Sequence, residues 1–123
     1  MSQRLALIIE DNDDAAFIFS EALKANGLET ECIISGDEAL ERLAQIIPDI
    51  ILLDLHLPRV SGATIFETIR HDERLRYVPV IVVSAEPDLV QEQLKGQAEF
   101  VLPKPSSYTD IVNFTAQVLE RTR

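Results

Sequence analysis

Four short apolar runs in this chain each stop at a polar residue, and that pattern restricts the fold more than any other feature. Leu5–Ile9 runs into Glu10 and Asp11, and Ile50–Leu53 runs into Asp54. Val80–Val83 ends at Ser84, and Phe100–Leu102 passes through Pro103 to Lys104. A strand with one wet face alternates apolar and polar residues, so an unbroken Val/Ile/Leu run implies cover on both faces. Such strands belong to a parallel sheet between helices, with ligands binding beyond its carboxyl edge where the strand order switches. The pattern therefore predicts that three carboxylates, a hydroxyl and an ammonium meet at one edge of one sheet.

The segments between the runs read as helices, giving an α/β doubly wound pattern that alternates five times. Ala15, Ile18, Phe19, Ala22 and Leu23 recur at helical spacing, and Gly27 closes that helix. Ser35 and Glu38 have the spacing of a capping box, opening a helix with Ala39, Leu40 and Leu43 inward. Ser61 caps a helix carrying Ile65, Phe66 and Ile69, while Pro87 suits the first turn of a short helix with Leu89, Val90 and Leu94. The last helix presents Ile111, Phe114, Val118 and Leu119. Of the strands, Glu29–Ile34 carries Glu29, Thr30 and Glu31 and reads as half exposed, and Pro103 places the Phe100 strand at an edge. With the other three central, the expected order is 2-1-3-4-5, which makes the strands ending at Asp11 and Asp54 neighbours.

Composition narrows the function. A chain of 123 residues is one domain's worth, read as a single unit over 1–123 without repeats or linkers. No apolar stretch approaches the ~20 residues that span a bilayer, so no membrane partner is expected. No basic N-terminal region precedes a long apolar segment, as a signal peptide requires. Cys32 is the single cysteine, which excludes an internal disulfide and fits a reducing cytoplasm; it reads as a small buried hydrophobe. The net charge of −10 argues against nucleic acid as a partner, because displacing phosphate counterions takes Lys and Arg.

Taken singly, an Asp or Ser after a strand can simply cap the next helix. Asp54 does not fit that role, because Leu55–Pro58 intervenes before the helix signal at Ser61. Ser84 could still cap, and after Glu10 and Asp11 the better-placed caps are Asn12 and Asp13. Crowded carboxylates repel unless a cation lies among them. An all-oxygen set without thiolates or several histidines suits Mg²⁺ rather than zinc, and Mn²⁺ can stand in for it. A carboxylate beside such an ion can attack phosphorus and form an aspartyl phosphate, while Lys104 and the Ser84 hydroxyl would each take a phosphoryl oxygen.

Glu10-Asp11, Asp54 with Leu57-Pro58 and Gly62, Ser84-Ala85, and Lys104-Pro105 form an ordered set that resembles the response-regulator receiver domains of two-component signalling, with a flavodoxin-like fold, over essentially the whole chain. The resemblance implies that Asp54 accepts a phosphoryl group from a sensor histidine kinase or a histidine phosphotransfer protein. It further implies that Asp11, Asp54 and the His56 carbonyl ligate Mg²⁺ directly, that Glu10 acts through water, and that Lys104–Pro105 is cis. Ser84 would move toward the phosphoryl group as half of a switch. Receivers often carry an aromatic at the other half, three residues before the lysine, where this chain has Val101. Phe100 lies one place earlier and faces the opposite side of the sheet.

Other residues have two readings. His56 gates the attacking water or is an exposed loop residue, and Glu86 is the other expected tuner of dephosphorylation. His71 is a solvated helix-end residue. Phe17, surrounded at helical spacing by Ser20, Glu21 and Lys24, is a docking point for the kinase or packs against the last helix. The expected output is phosphorylation-dependent binding of an unknown downstream protein, because no effector follows the last helix; pairing with a second copy is left open. The alternatives are a receiver-like scaffold that is never phosphorylated and a Mg²⁺-dependent phosphatase with an aspartate nucleophile. The phosphatase would need a second carboxylate two residues after Asp54, where His56 stands, and a substrate cap for which the chain is too short.

Overall fold

In the computed structural model, which describes residues 4–122, strands and helices alternate; residues 1–3 and 123 of the expected 1–123 unit lie outside that range. The elements are β1 (Leu5–Ile9), α1 (Asp13–Lys24), β2 (Glu29–Ile33), α2 (Gly36–Leu43), β3 (Ile50–Asp54), α3 (Gly62–His71), β4 (Val80–Ser84), α4 (Val90–Gln93, after a 3-10 turn at Pro87–Leu89), β5 (Phe100–Pro103) and α5 (Tyr108–Arg121). All pairings are parallel, and the order is β2-β1-β3-β4-β5, as expected from the apolar runs.

The register places the site. Ile9 lies opposite Leu53, Asp54 opposite Val83, and Ser84 opposite Pro103. The tips of β1, β3, β4 and β5 therefore end side by side on one edge. Alternate residues feed two cores. Leu7, Ile9, Ile51, Leu53 and Val82 pack with Ala39, Leu43, Ile65, Phe66, Ile69 and Val90 from α2, α3 and α4. Ala6, Ile8, Leu52, Ile81, Val83, Phe100 and Leu102 pack with Phe19, Ala22, Leu23, Ile111 and Val118 from α1 and α5. Each fully buried Leu or Ile contributes roughly 1.5–3 kcal/mol, which anchors the strands whose tips carry the polar groups.

Four local expectations need correction. Ser35 is the residue before α2, but its hydroxyl makes no cap hydrogen bond and is buried without a partner, so the capping box does not form. The second strand ends at Ile33, and Ile34 is exposed. Cys32 is exposed rather than buried, because β2 is an edge strand that α1 and α2 only partly cover. Ile18 and Leu89 share the helical apolar spacing of their neighbours but are exposed; on α1 the inward stripe runs through Ala16, Phe19, Ala22 and Leu23. The expected Ser61 cap is present, its hydroxyl accepting from the Thr64 amide at 3.2 Å.

Candidate functional site

Glu10 extends β1 by one residue, its amide donating to the Ile33 carbonyl at 3.0 Å. That hydrogen bond draws the carboxyl into the sheet edge, where it is fully buried. Asn12 then caps α1 by accepting from the Ala15 amide at 2.8 Å, and donates its own amide to Glu10 Oε2 at 3.1 Å. Asp11 is exposed between these two. At the tip of β3, Asp54 is only 3% exposed, and its Oδ1 accepts from the His56 amide at 3.0 Å.

Gly62 explains how the loop after Asp54 turns so closely. Its amide donates to the Leu55 carbonyl at 3.2 Å. A Cβ there would lie 2.5 Å from both the Asp54 carbonyl oxygen and Leu55 Cα, so α3 can begin against the strand tip only with glycine at its start.

Lys104 arrives from β5, its amide held by the Ser84 carbonyl at 2.9 Å. The ammonium lies 2.7 Å from Glu10 Oε1 and 3.2 Å from Asp54 Oδ2. The Lys104–Pro105 bond is cis. Ser84 Oγ accepts from the Glu86 amide at 3.0 Å, an ST turn rather than a helix cap. At the mouth, His56 Nε2 and Glu86 Oε1 face each other at 3.9 Å, and both side chains are exposed.

Burial dominates the electrostatics. It pushes the Glu10 carboxyl up to about 7, opposed by Lys104 and the Asn12 amide and reinforced by the neighbouring Asp54. Burial also disfavours the Lys104 charge, but Glu10 and Asp54 outweigh it and raise the ammonium above its ordinary value. One ammonium thus faces two buried carboxylates, with exposed Asp11 beside them. Glu10, Asp11 and Asp54 offer oxygens that all lie within 4.8 Å of one another. Hard oxygen donors, crowded acids and a depressed tendency of Glu10 to ionise without a second cation are the conditions a divalent ion such as Mg²⁺ satisfies.

The structure thus brings Glu10, Asp11, Asp54, Ser84 and Lys104 to one edge. His56 and Glu86 stand at its rim, while Val101 is partly buried against the α2–α3–α4 core, opposite in direction to Phe100. Phe17 is 66% exposed on α1 and does not pack away against α5. Sequence reasoning missed Ile18: 41% exposed, it lines an open groove of about 390 Å³ between α1 and the start of α5. The polar spacing of Ser20, Glu21 and Lys24 singled out Phe17 alone, although Ile18 is its immediate neighbour on the rim between wet and buried faces.

A doubly wound parallel sheet whose edge gathers an acidic pocket, a hydroxyl and a cis-proline lysine is the architecture of a receiver domain. The chain belongs to the response regulator receiver domain family, whose model matches residues 6–116. It is similar to the polar-differentiation response regulator DivK of Brucella ovis, 38% identical over 103 residues that cover 82% of this chain and 84% of that protein. The corresponding protein of Brucella anthropi is 36% identical over the same share of each chain. Among solved structures, a CheY-like response regulator receiver domain from Methylobacillus flagellatus superposes with a TM-score of 0.84 at 25% identity, covering 99% of this chain and 100% of that one. The chemotaxis response regulator CheY4 of Vibrio cholerae shares the fold, with a TM-score of 0.86 at 21% identity over 95% of this chain and 99% of that one.

Proposed function

We propose that this receiver accepts a phosphoryl group on Asp54 from a sensor histidine kinase or histidine phosphotransfer protein, in a Mg²⁺-dependent reaction, and signals by binding another protein. The observation that carries the reading is the single ammonium of Lys104 reaching both Asp54 and Glu10 from a different strand. Asp11, Asp54 and the His56 carbonyl would hold the ion directly, with Glu10 acting through water. When bound, the ion neutralises charge that builds on the transferring group.

The chain's own residues supply the rest. An Asp54 oxygen attacks phosphorus while the donor's bond to phosphorus breaks. Lys104 shifts from the carboxylates toward the new phosphoryl oxygens, and the Ser84 hydroxyl leaves the Glu86 amide to donate to another. Because Val101 replaces an aromatic, Ser84 bears the switching, and its movement is passed to the turn before α4. His56 and Glu86, facing each other over the mouth, tune access of the hydrolysing water. Phe17 is the docking point for the protein donor. The chain as a whole acts as one receiver unit in the cytoplasm, performing signalling rather than metabolic catalysis; among the described residues no helix is long and apolar enough to cross a membrane.

With Mg²⁺ and a small phosphodonor, the intact mass should rise by one phosphoryl group, and Asp54→Asn should abolish the gain. A gain that survives Asp54→Asn relocates the acceptor. No gain in the native chain favours the scaffold alternative.

A further inference from the structure

The groove beside the acidic pocket shares Lys104 with it and is walled mainly by apolar groups, with Asn12 and Ser106 as its other polar lining residues. Ala15, Ile18 and Phe19 come from α1, Pro105 from the loop after β5, and Ile111 from α5. Ala85, the residue after Ser84, also lines the groove. Two alanines in the wall keep the passage open, and the volume of about 390 Å³ exceeds what a single aromatic ring needs. Lys104 as the one charged lining residue and a mostly hydrocarbon wall match a ligand with an anionic head and an apolar body. A phosphodonor bound with its phosphorus near Asp54 and Lys104 would find this groove next to its departing part.

Resting on the acceptor role of Asp54, we propose that the groove is a leaving-group subsite that selects acyl phosphates with an aromatic or branched acyl chain over acetyl phosphate. The Asp54 oxygen forms the new bond to phosphorus, and the phosphorus–oxygen bond of the mixed anhydride breaks. The acyl group departs as its carboxylate with the bonding electron pair. No proton, oxidant or further reactant is required. Discrimination comes from apolar contact made by the leaving group, which acetyl is too small to make.

The test compares initial rates of mass gain with benzoyl phosphate and acetyl phosphate, each with Mg²⁺, in the native chain, Ala15→Leu and Ile18→Gln. The first substitution fills the groove; the second removes apolar wall at an exposed helix position and leaves folding intact. The native benzoyl-to-acetyl rate ratio should be about tenfold, the order that one apolar contact in a pocket provides, and both variants should bring it toward unity. A ratio near one in the native chain overturns the subsite. A high ratio unchanged in either folded variant overturns it equally, and leaves the groove to an apolar side chain of a protein donor. Absence of labelling by both donors instead rejects Asp54 as acceptor, a distinct outcome.

Discussion

The interiors of β1, β3 and β4 and the tips of the same strands are equally hidden from water, yet burial has opposite consequences in the two places. Ile9, Leu53 and Val83 are fully buried, and the next residues, Glu10, Asp54 and Ser84, are at most 3% exposed. In the interior every buried methylene adds stability. At the tips burial strips hydration from charge, and only Lys104 and a few backbone amides replace it. The fold holds an unfavourable pocket in place with the apolar residues immediately before it, and under the proposed acceptor role a cation and a phosphoryl group would relieve that cost.

That contrast can be broken from the interior. Leu53→Ala removes a fully buried side chain one residue from Asp54 and should destabilise the fold by about 2–5 kcal/mol in denaturant unfolding. It should also slow labelling at Asp54, because the strand tip loses its anchor. A loss below 1 kcal/mol would show that the tip is held by something other than this core.

The opposite sign is expected one strand away. Glu10→Gln keeps size and removes the charge, so in the absence of Mg²⁺ at pH 8 it should stabilise the chain by roughly 2 kcal/mol. The gain follows from the raised Glu10 pKa. A carboxyl that titrates at about 7 when folded, against 4.5 as its ordinary value, binds more protons in the native state. Its contribution to stability is complete below the ordinary value and is lost as pH rises through about 7. The difference between native and Glu10→Gln melting curves should therefore be small at pH 4.5 and grow to pH 8, with Mg²⁺ shrinking it in the native chain. A difference independent of pH would remove burial of the Glu10 charge as its cause.

A smaller effect is expected at the ammonium that faces Glu10. Lys104→Ala should reduce phosphorylation-dependent change at Ser84, read from amide NMR shifts of Ser84 and Glu86, more than it reduces Mg²⁺ affinity. The ammonium touches Glu10 and Asp54, whereas Asp11 and the loop carbonyl do not depend on it. Equal loss of both would mean that Lys104 serves metal binding as much as switching.

How far the sequence reveals this arrangement depends on which side of the same divide a residue occupies. The central strands are legible because burial on both faces leaves an unbroken apolar run, and a polar residue then stands out at each tip. Hence Glu10, Asp54, Ser84 and Lys104 stand out, and the strand order follows, from the sequence alone. The misreadings fall at boundaries of partial cover. Cys32 sits on an edge strand, where the same residue type is buried or wet depending on how far a helix reaches. Ile18 lies at the margin of the α1 stripe, where helical spacing alone does not say how wide the buried face is. Ser35 matches a capping box in spacing, but the box depends on a hydroxyl direction that sequence does not specify. Glycine at 62 was legible as part of a motif, while its reason, contact with the Asp54 carbonyl, is purely three-dimensional.

The divide is not strictly one of strand tips against interior, because a polar group with no site nearby is also buried in the second core. Thr115 on α5 is fully buried, and its hydroxyl has no hydrogen-bond partner. Unlike Glu10 it lies within a helix rather than at a strand tip, and the proposed phosphoryl chemistry gives its burial no role. Valine has the same shape with a methyl in place of the hydroxyl, and Thr115→Val should stabilise the chain by about 1 kcal/mol, with labelling of Asp54 unchanged. The β-branched side chain is kept, so helix propensity changes little. Urea unfolding at pH 7 with an unchanged slope would read the gain directly. Destabilisation by the same amount would mean that the hydroxyl is paired in solution, and would remove Thr115 as a case of unfavourable burial away from the strand tips.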